Sequence, residues 1–344
     1  MLTENFPFIT VVIPIKNEAR FIESTIKKIL EQDYPSGRFE IIVACGKSED
    51  NSSEIVRRLA SEDSRIRMFD NLVGKASGGR NLGIRNARGE IILFIDGHTY
   101  IKDKELLKNT VRLMEEKKVS VLSRPQFLEP PDNNVFQQAV ALARKSVIGH
   151  GLDSTIYTDK EIFVAPTSSG ATYRKELFEQ FGYYDESFDA CEDVEFNYRL
   201  TKAGIQSFTS MKLAVYYYPR ESLGALFHQM KRYGVGRFRL ARKHPDTLSL
   251  GSLIPVLFTA GMPLLFLLGV VVKPAMTLFL MLSLLYLLVI LAASLLISVR
   301  HGFRFLALLP PIFFTIHTGL GWGFLTEAAK TWLTSRSPSG GDSA

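Results

Sequence analysis

Asp96 and His98 stand two residues apart where the apolar run Glu90–Ile95 ends. Side chains at i and i+2 of an extended segment share a face, so a carboxylate and an imidazole project together, a donor pair that suits a divalent cation such as Mn or Mg. A cation there would hold a diphosphate. An Asp-Gly pair after a strand is also a common turn, and spacing alone leaves both readings open. A second acidic pair, Glu192-Asp193, opens a helical segment. Carboxylates at a helix start also answer the macrodipole, so this pair has a purely structural reading as well.

These residues depend on the elements that carry them. The Glu90–Ile95 run is β-branched and aromatic and is bounded by polar residues and Gly, as in a strand covered on both faces. Three earlier runs, Ile9–Ile15, Phe39–Ala44 and Ile66–Phe69, carry the same signal. Helical spacing separates them at Glu18–Gln32, Ser53–Ala60 and near Asn81–Ala87. Strands alternating with helices predict a parallel, crossover-connected sheet. Ligands in such sheets sit at the carboxyl edge. There the loops after the first, second and fourth strands would gather Lys16, Glu18, Cys45 to Asp50, and Asp96 to His98, with Lys75 and Arg80 flanking the third. Cations, carboxylates and a Gly-containing loop suit a nucleotide diphosphate. No glycine pattern of the dinucleotide-binding or P-loop kind is present, which argues against a dehydrogenase or an ATPase.

The apolar residues, 46% of the 344, are unevenly placed: from Gly251 to Val299 the only charge is Lys273. Leu253–Val272 and Pro274–Val299 are each long enough to cross a hydrocarbon core. Phe305–Leu325 is a third candidate that Pro310-Pro311 and Gly319, Gly321 and Gly323 would kink or make re-entrant. Met1–Pro7 has no basic leader region, so residues up to about 245 are expected in the cytosol. Lys231, Arg232, Arg237, Arg239, Arg242 and Lys243 before the first span, and Arg300 and Arg304 after the second, put both ends of that hairpin inside. Localisation is thus expected in the inner (plasma) membrane, multi-pass, with a cytoplasmic catalytic domain. The net charge of +6 is concentrated beside the membrane, which favours membrane lipids or an anionic substrate over nucleic acid. Cys45 and Cys191 imply no disulfide framework.

Six motifs in order resemble family 2 glycosyltransferases. They are Val12-Ile13-Pro14-Ile15-Lys16-Asn17-Glu18, Ser48-Glu49-Asp50, Gly74 to Arg80-Asn81, Ala87-Arg88-Gly89-Glu90, Asp96-Gly97-His98, and Glu192-Asp193 with Asn197-Tyr198-Arg199-Leu200. The resemblance runs from Thr10 to Arg237 and is greatest to membrane-anchored bacterial enzymes of exopolysaccharide assembly, of the succinoglycan type. It implies an α/β, GT-A (Rossmann-like) nucleotide-sugar-binding domain with C-terminal transmembrane helices, a divalent metal, and inversion at the anomeric carbon. By the same resemblance Pro14, Lys16, Glu18, Cys45, Asp50, Lys75, Arg80 and Asp96 contact the donor, and Asp96 and His98 hold the metal. Cys45 stands where many relatives place an Asp that reads uracil, so the expectation of a UDP-sugar is weaker here. An inverting transfer needs a carboxylate beside the acceptor hydroxyl. Asp193 takes that role by its place after the donor motifs, with Glu192 orienting acceptor or base. Gln229-Met230-Lys231-Arg232-Tyr233 resembles the Gln-x-x-Arg-Trp motif of processive relatives, and Arg232 or Arg237 would neutralise the leaving diphosphate. An amphipathic helix on lipid head groups explains the same cations.

The remaining segments complete the expectation. Gln126–Asn134 is Pro-rich and polar, a loop by composition; Val135–Ile148 is a helix; residues 149–160 form a loop in which His150 is a turn residue. Five regions result: 1–125 binding the donor, 126–222 holding acceptor and catalysis, 223–250 interfacial, 251–330 with two to three membrane helices, and a tail over 331–344. The function expected is transfer of a sugar from a nucleotide-sugar donor to a lipid-linked (polyprenyl) acceptor in cell-surface or exopolysaccharide synthesis. The alternatives are a processive polysaccharide synthase, a polyprenyl-phosphate monosaccharide synthase or, from another class, a non-catalytic sugar-binding scaffold subunit.

Overall fold

The structure, a computed structural model, describes residues 6–130, 134–150 and 156–336. Residues 1–5 of the segment read for a leader, residues 131–133 and 151–155 of the two expected loops, the His150 side chain and the tail from 337 lie outside the described residues. The chain forms two compact units, residues 1–129 with 153–218, and residues 130–152 with 219–344.

In the first unit the chain runs β1 (Ile9–Ile15), α1 (Ile22–Leu30), β2 (Phe39–Cys45), α2 (Ser52–Glu62), β3 (Ile66–Asp70), α3 (Ala76–Asn86), β4 (Ile91–Phe94), β5 (Thr99–Tyr100), α4 (Leu106–Glu116), β6 (Val121–Ser123) and β7 (Gln126–Leu128). After α5 (Val135–Lys145) and α6 (Val147–His150), which belong to the second unit, it returns as β8 (Ile162–Val164), β9 (Gly170–Arg174), α7 (Glu176–Phe181), α8 (Glu192–Lys202), β10 (Ser207–Thr209) and β11 (Val215–Tyr217). The large sheet has the order β3-β2-β1-β4-β9-β6-β10-β8, and β5-β11-β7 form a small second sheet.

Alternate residues of β1 divide between two cores. Ile9, Val11, Ile13 and Ile15 pack with Ile22 and Ile26 of α1, Val56 of α2 and Leu106 of α4, while Val12 packs with Ile84 of α3 and the Phe178 and Phe196 group. That is why the strand reads as continuously apolar. The expectation of a wholly parallel sheet is corrected. β3, β2, β1 and β4 are parallel, but β9 runs antiparallel to both β4 and β6, and β8 antiparallel to β10. Gln126–Leu128, expected within a loop, is a strand paired with β11. Three-residue strands are too short to show a period of two.

Helix α3 lies close on the sheet through its glycines. A Cβ at Gly83 would stand 2.2 Å from Val12 Cγ1, and one at Gly79 would stand 3.0 Å from Pro14 Cβ.

In the second unit follow α9 (Leu223–Lys243), α10 (Leu250–Val271), α11 (Lys273–His301) and α12 (Leu309–Arg336). α10 and α11 are long and apolar enough to cross a membrane, with hydropathies of 2.3 and 2.8 and 11% of each apolar window buried within the protein. The third apolar run behaves differently. Among the described residues α12 is not a candidate span, and its Leu309, Ile312, Phe313 and Ile316 are fully buried with Leu226 and Met230 of α9. The run, expected to be kinked or re-entrant, forms one helix over Leu309–Arg336, and Pro310 and Pro311 fall in its first turn, where no N–H is needed. Its glycines serve close approach instead: a Cβ at Gly323 would lie 2.0 Å from the Lys231 carbonyl oxygen, and one at Gly321 2.3 Å from that of Pro255. Arg239 and Glu327, 2.7 Å apart, tie α9 to α12.

Replacing Gly83 by Val would force α3 off β1. The expected cost is about 1–3 kcal/mol, read as a thermal midpoint lower by several degrees in detergent-purified protein.

Candidate active site

Because β1, β2 and β4 are parallel neighbours, their carboxyl ends meet at one edge. There the Tyr217 hydroxyl donates to Asp96 Oδ2 at 3.0 Å, and Arg80 Nη2 lies 3.4 Å from Asp96 Oδ1. Arg80 reaches this point from the first half of α3, and its Nε stands 3.6 Å from Glu192 Oε1 at the start of α8. Its guanidinium also lies over the rings of Phe94 and Tyr184, at 5.3 and 5.7 Å. One buried cation thus bridges the carboxylate after β4 and the acidic pair that opens α8.

The α8 start is held against α3 by side chains that the motifs do not identify as structural. Lys75 Nζ donates to the carbonyls of Glu186 and Ser187, at 3.0 and 3.3 Å, and Ser77 Oγ donates to Phe188 O at 2.8 Å. Asn81 exchanges bonds with the Tyr184 backbone, both at 2.9 Å. Cys191 turns the chain with a φ of 64°, after which Glu192 is buried and Asp193 half-buried. Asp193 Oδ1 accepts from the Val194 N–H at 2.8 Å.

Electrostatics separate the carboxylates. Burial pushes Asp96 up, but Arg80, His98 and Arg124 together with the Tyr217 hydroxyl outweigh it and hold the group below the ordinary range. At Glu192 burial prevails over the attraction of Arg80, Asp193 adds repulsion, and the carboxyl rises to about 7.

His98 Nδ1 lies 2.8 Å from Glu18 Oε1. A carboxylate only accepts, so Nδ1 carries the hydrogen and Nε2 is the nitrogen suited to a metal. Among the described residues no group of three or more His, Cys, Asp or Glu side chains is arranged to hold an ion alone. An anionic Asp96 with an oriented imidazole fits a cation that takes its other ligands from substrate oxygens.

Other expected residues take different places. Asp50 braces the loops: it accepts from the Ala19 N–H at 3.0 Å, the Ser52 N–H at 3.1 Å and the Ser52 hydroxyl. Burial raises it less than these bonds lower it. Asn17, in the left-handed region at φ 58°, accepts from the Glu49 N–H at 2.8 Å, and the Glu18 N–H donates to Ser52 Oγ at 2.7 Å. Cys45, expected among the donor contacts, closes β2 at the carboxyl edge with its side chain turned inward. The thiol is 4% exposed and belongs to the core with Ile41 and Val43, on the same face of β2. Burial, with Asp70 adding, pushes it up to about 12. Pro14 is half-buried against α3, and Lys16 is exposed at the sheet edge. Arg232 and Arg237 are exposed on α9, in the second unit. Sequence reasoning missed Tyr217 and Arg124. The Val215–Tyr218 run carried a strand signal for the first; nothing local distinguished the second.

The Glycosyl transferase family 2 pattern matches residues 10–182. The succinoglycan biosynthesis protein ExoA of Rhizobium meliloti (strain 1021) is 34% identical over 251 residues, covering 72% of this chain and 74% of that protein. A dolichyl N-acetyl-alpha-D-glucosaminyl phosphate 3-beta-D-2,3-diacetamido-2,3-dideoxy-beta-D-glucuronosyltransferase of Methanococcus voltae is 23% identical over 329 residues, 94% of this chain and 98% of that one. Among solved structures, the mannosyltransferase PcManGT from Pyrobaculum calidifontis, in complex with GDP-Man and Mn2+, superposes with a TM-score of 0.57 at 21% identity over 97% of this chain and 89% of that one. That likeness shows the fold, a GT-A-type mixed α/β domain. The chain therefore belongs to glycosyl transferase family 2 and is a glycosyltransferase.

Proposed function

We propose that this enzyme transfers one sugar, with inversion, from a nucleotide-diphosphate donor to a lipid-linked acceptor of the polyprenyl type, for a cell-surface or exopolysaccharide glycan. The observation that carries the reading is Arg80, which links Asp96 at the donor edge to Glu192 and so sets Asp193 beside it. In an inverting single displacement the acceptor oxygen attacks the anomeric carbon while a carboxylate takes its proton. Asp193 is that base, since it is half-buried, whereas Glu192 is packed against Arg80. Glu192 positions the guanidinium. Asp96 and His98 would hold a divalent metal, which supplies positive charge to the leaving diphosphate. Pro14, Lys16 and Glu18 line the same edge, and Lys75 and Asp50 hold its loops. Arg232 and Arg237 are assigned to the leaving diphosphate on motif likeness alone.

The names of two relatives support the acceptor and pathway class, one being a succinoglycan biosynthesis protein and the other acting on a dolichyl-linked sugar phosphate. The two apolar helices support a multi-pass anchor in the plasma membrane. The cations before α10 and after α11 support a cytoplasmic first unit. Confinement at a lipid surface raises the effective concentration of a lipid acceptor.

The test is turnover of a panel of nucleotide sugars with a polyprenyl diphosphate-sugar acceptor, with Mn, with Mg and with chelator. Asp193→Asn is expected to lose about 10²- to 10⁴-fold in kcat with donor affinity kept, and Asp96→Ala to lose donor affinity. Unchanged kcat in Asp193→Asn would reject the base.

Glu192 supplies a second prediction. Its folded value lies above its ordinary value of 4.5, so the folded protein keeps a proton that the unfolded chain releases. That contribution favours folding at low pH and declines as pH rises through about 7. Glu192→Gln should flatten the fall in thermal midpoint from about pH 5 to about pH 8, a difference on the order of 3 kcal/mol. Parallel profiles for the two proteins would refute this.

A further inference from the structure

Arg124 follows β6 and is 4% exposed. Its peptide N–H donates to Ser169 O at 3.0 Å, which fixes the backbone. Its side chain is another matter: among the described residues neither Nε nor Nη1 has a hydrogen-bonding partner. Buried arginines are ordinarily paired, because an unpaired buried charge is costly.

The sheet places this group. β4 and β6 both run antiparallel to β9, hence parallel to one another, and Leu93 and Leu122 both pair with Thr172. Asp96 and Arg124 therefore emerge at the same edge and nearly the same level. Their strands lie two spacings apart, about 10 Å, which two long side chains can close. The electrostatics agree, since Arg124 is among the cations acting on Asp96 and on Tyr217. Asp96 already has Arg80 and Tyr217 within hydrogen-bond range, so it does not need Arg124 as a bonding partner.

We infer that Arg124 is a further substrate-binding residue, whose Nε and Nη1 take phosphate oxygens of the donor diphosphate at the Asp96 edge. The inference rests on the donor reading of that edge given above. A buried guanidinium with unused N–H groups beside a carboxylate calls for an anion with several acceptor oxygens, and phosphate is the anion that glycosyl donors carry. A diphosphate can also arrive on a lipid acceptor, so the test separates the two.

The experiment measures binding to detergent-purified full chain of uridine, UMP and UDP and of guanosine, GMP and GDP, with Mn and with chelator, and the KM for a polyprenyl diphosphate-sugar. Wild type is compared with Arg124→Gln and Arg124→Lys. The expected result is a loss of about 10- to 100-fold for the diphosphate in Arg124→Gln, little change for the nucleoside, and a smaller diphosphate-only loss in Arg124→Lys. Equal losses for nucleoside and diphosphate would show a merely structural role and overturn the inference. So would unchanged diphosphate affinity with a raised KM for the lipid, which assigns Arg124 to the acceptor. If Arg124→Gln fails to fold, the Lys variant decides alone, and equal binding by it and wild type overturns the assignment. Failure of wild type to bind any diphosphate would instead overturn the donor reading itself, and Arg124 with it.

Discussion

The first unit depends on one desolvated cation. Arg80 is removed from water, a cost that only opposite charge can offset, and the structure surrounds it with Asp96 on one side and Glu192 on the other. Burial lowers its proton affinity, and the two carboxylates more than restore it. Because the two acids come from distant parts of the chain, satisfying Arg80 is the same event as assembling the site. Asn81, one residue on, holds the Tyr184 backbone, so the helix that buries the cation also docks the segment leading to Asp193.

The same constraint separates two acids that adjoin in sequence. Glu192 turns inward to the guanidinium and Asp193 does not, because neighbouring residues at a helix start point in different directions. Burial then raises Glu192 against the pull of Arg80, with Asp193 adding repulsion, which leaves the pair in unequal environments. An acid and a base need not differ in chemistry when burial differs.

Much of the fold was legible in the sequence. β1 to β4 were, since strands buried on both faces leave long apolar runs; the geometry of Asp96 and His98 was not, because β4 ends at Phe94 and Gly97 and His98 lie in a turn, where a period of two does not apply. The reversal at β9 was not, because strand direction is set by a long excursion of the chain and not by composition. The inward turn of the Cys45 side chain follows from parity: it lies on the same face of β2 as Ile41 and Val43, which pack in the core. The Ala87-Arg88-Gly89-Glu90 motif proved to mark architecture. Glu40, 2% exposed, accepts from the Arg88 N–H at 2.7 Å and from Thr10 Oγ1 at 2.9 Å, at the amino edge of the sheet, away from the site. Likewise Arg199 of the Asn197–Leu200 motif pairs with the fully buried Glu195 at 2.9 Å and bonds Tyr183 O at 2.7 Å. Motif order pointed to the family, but only coordinates show which motif residues hold the frame.

The second unit is packed by different rules from the first. Side chains such as Leu257, Leu264 and Val270 of α10 and Leu284 and Leu288 of α11 are more than half exposed, an exposure of apolar surface that marks an interaction site. A core helix would pass the same length and hydropathy test, but it would be buried, and these are not. Where hydrocarbon surrounds a helix, apolar side chains gain little by meeting one another, and backbone proximity has to hold helices together. The glycine contacts of α12 with α9 and α10 have that character. The Arg239–Glu327 pair and the exposed Arg242 and Lys243 follow at the carboxyl end of α9. Packing through glycine and charge clustered beside the apolar helices both fit association of this unit with a membrane.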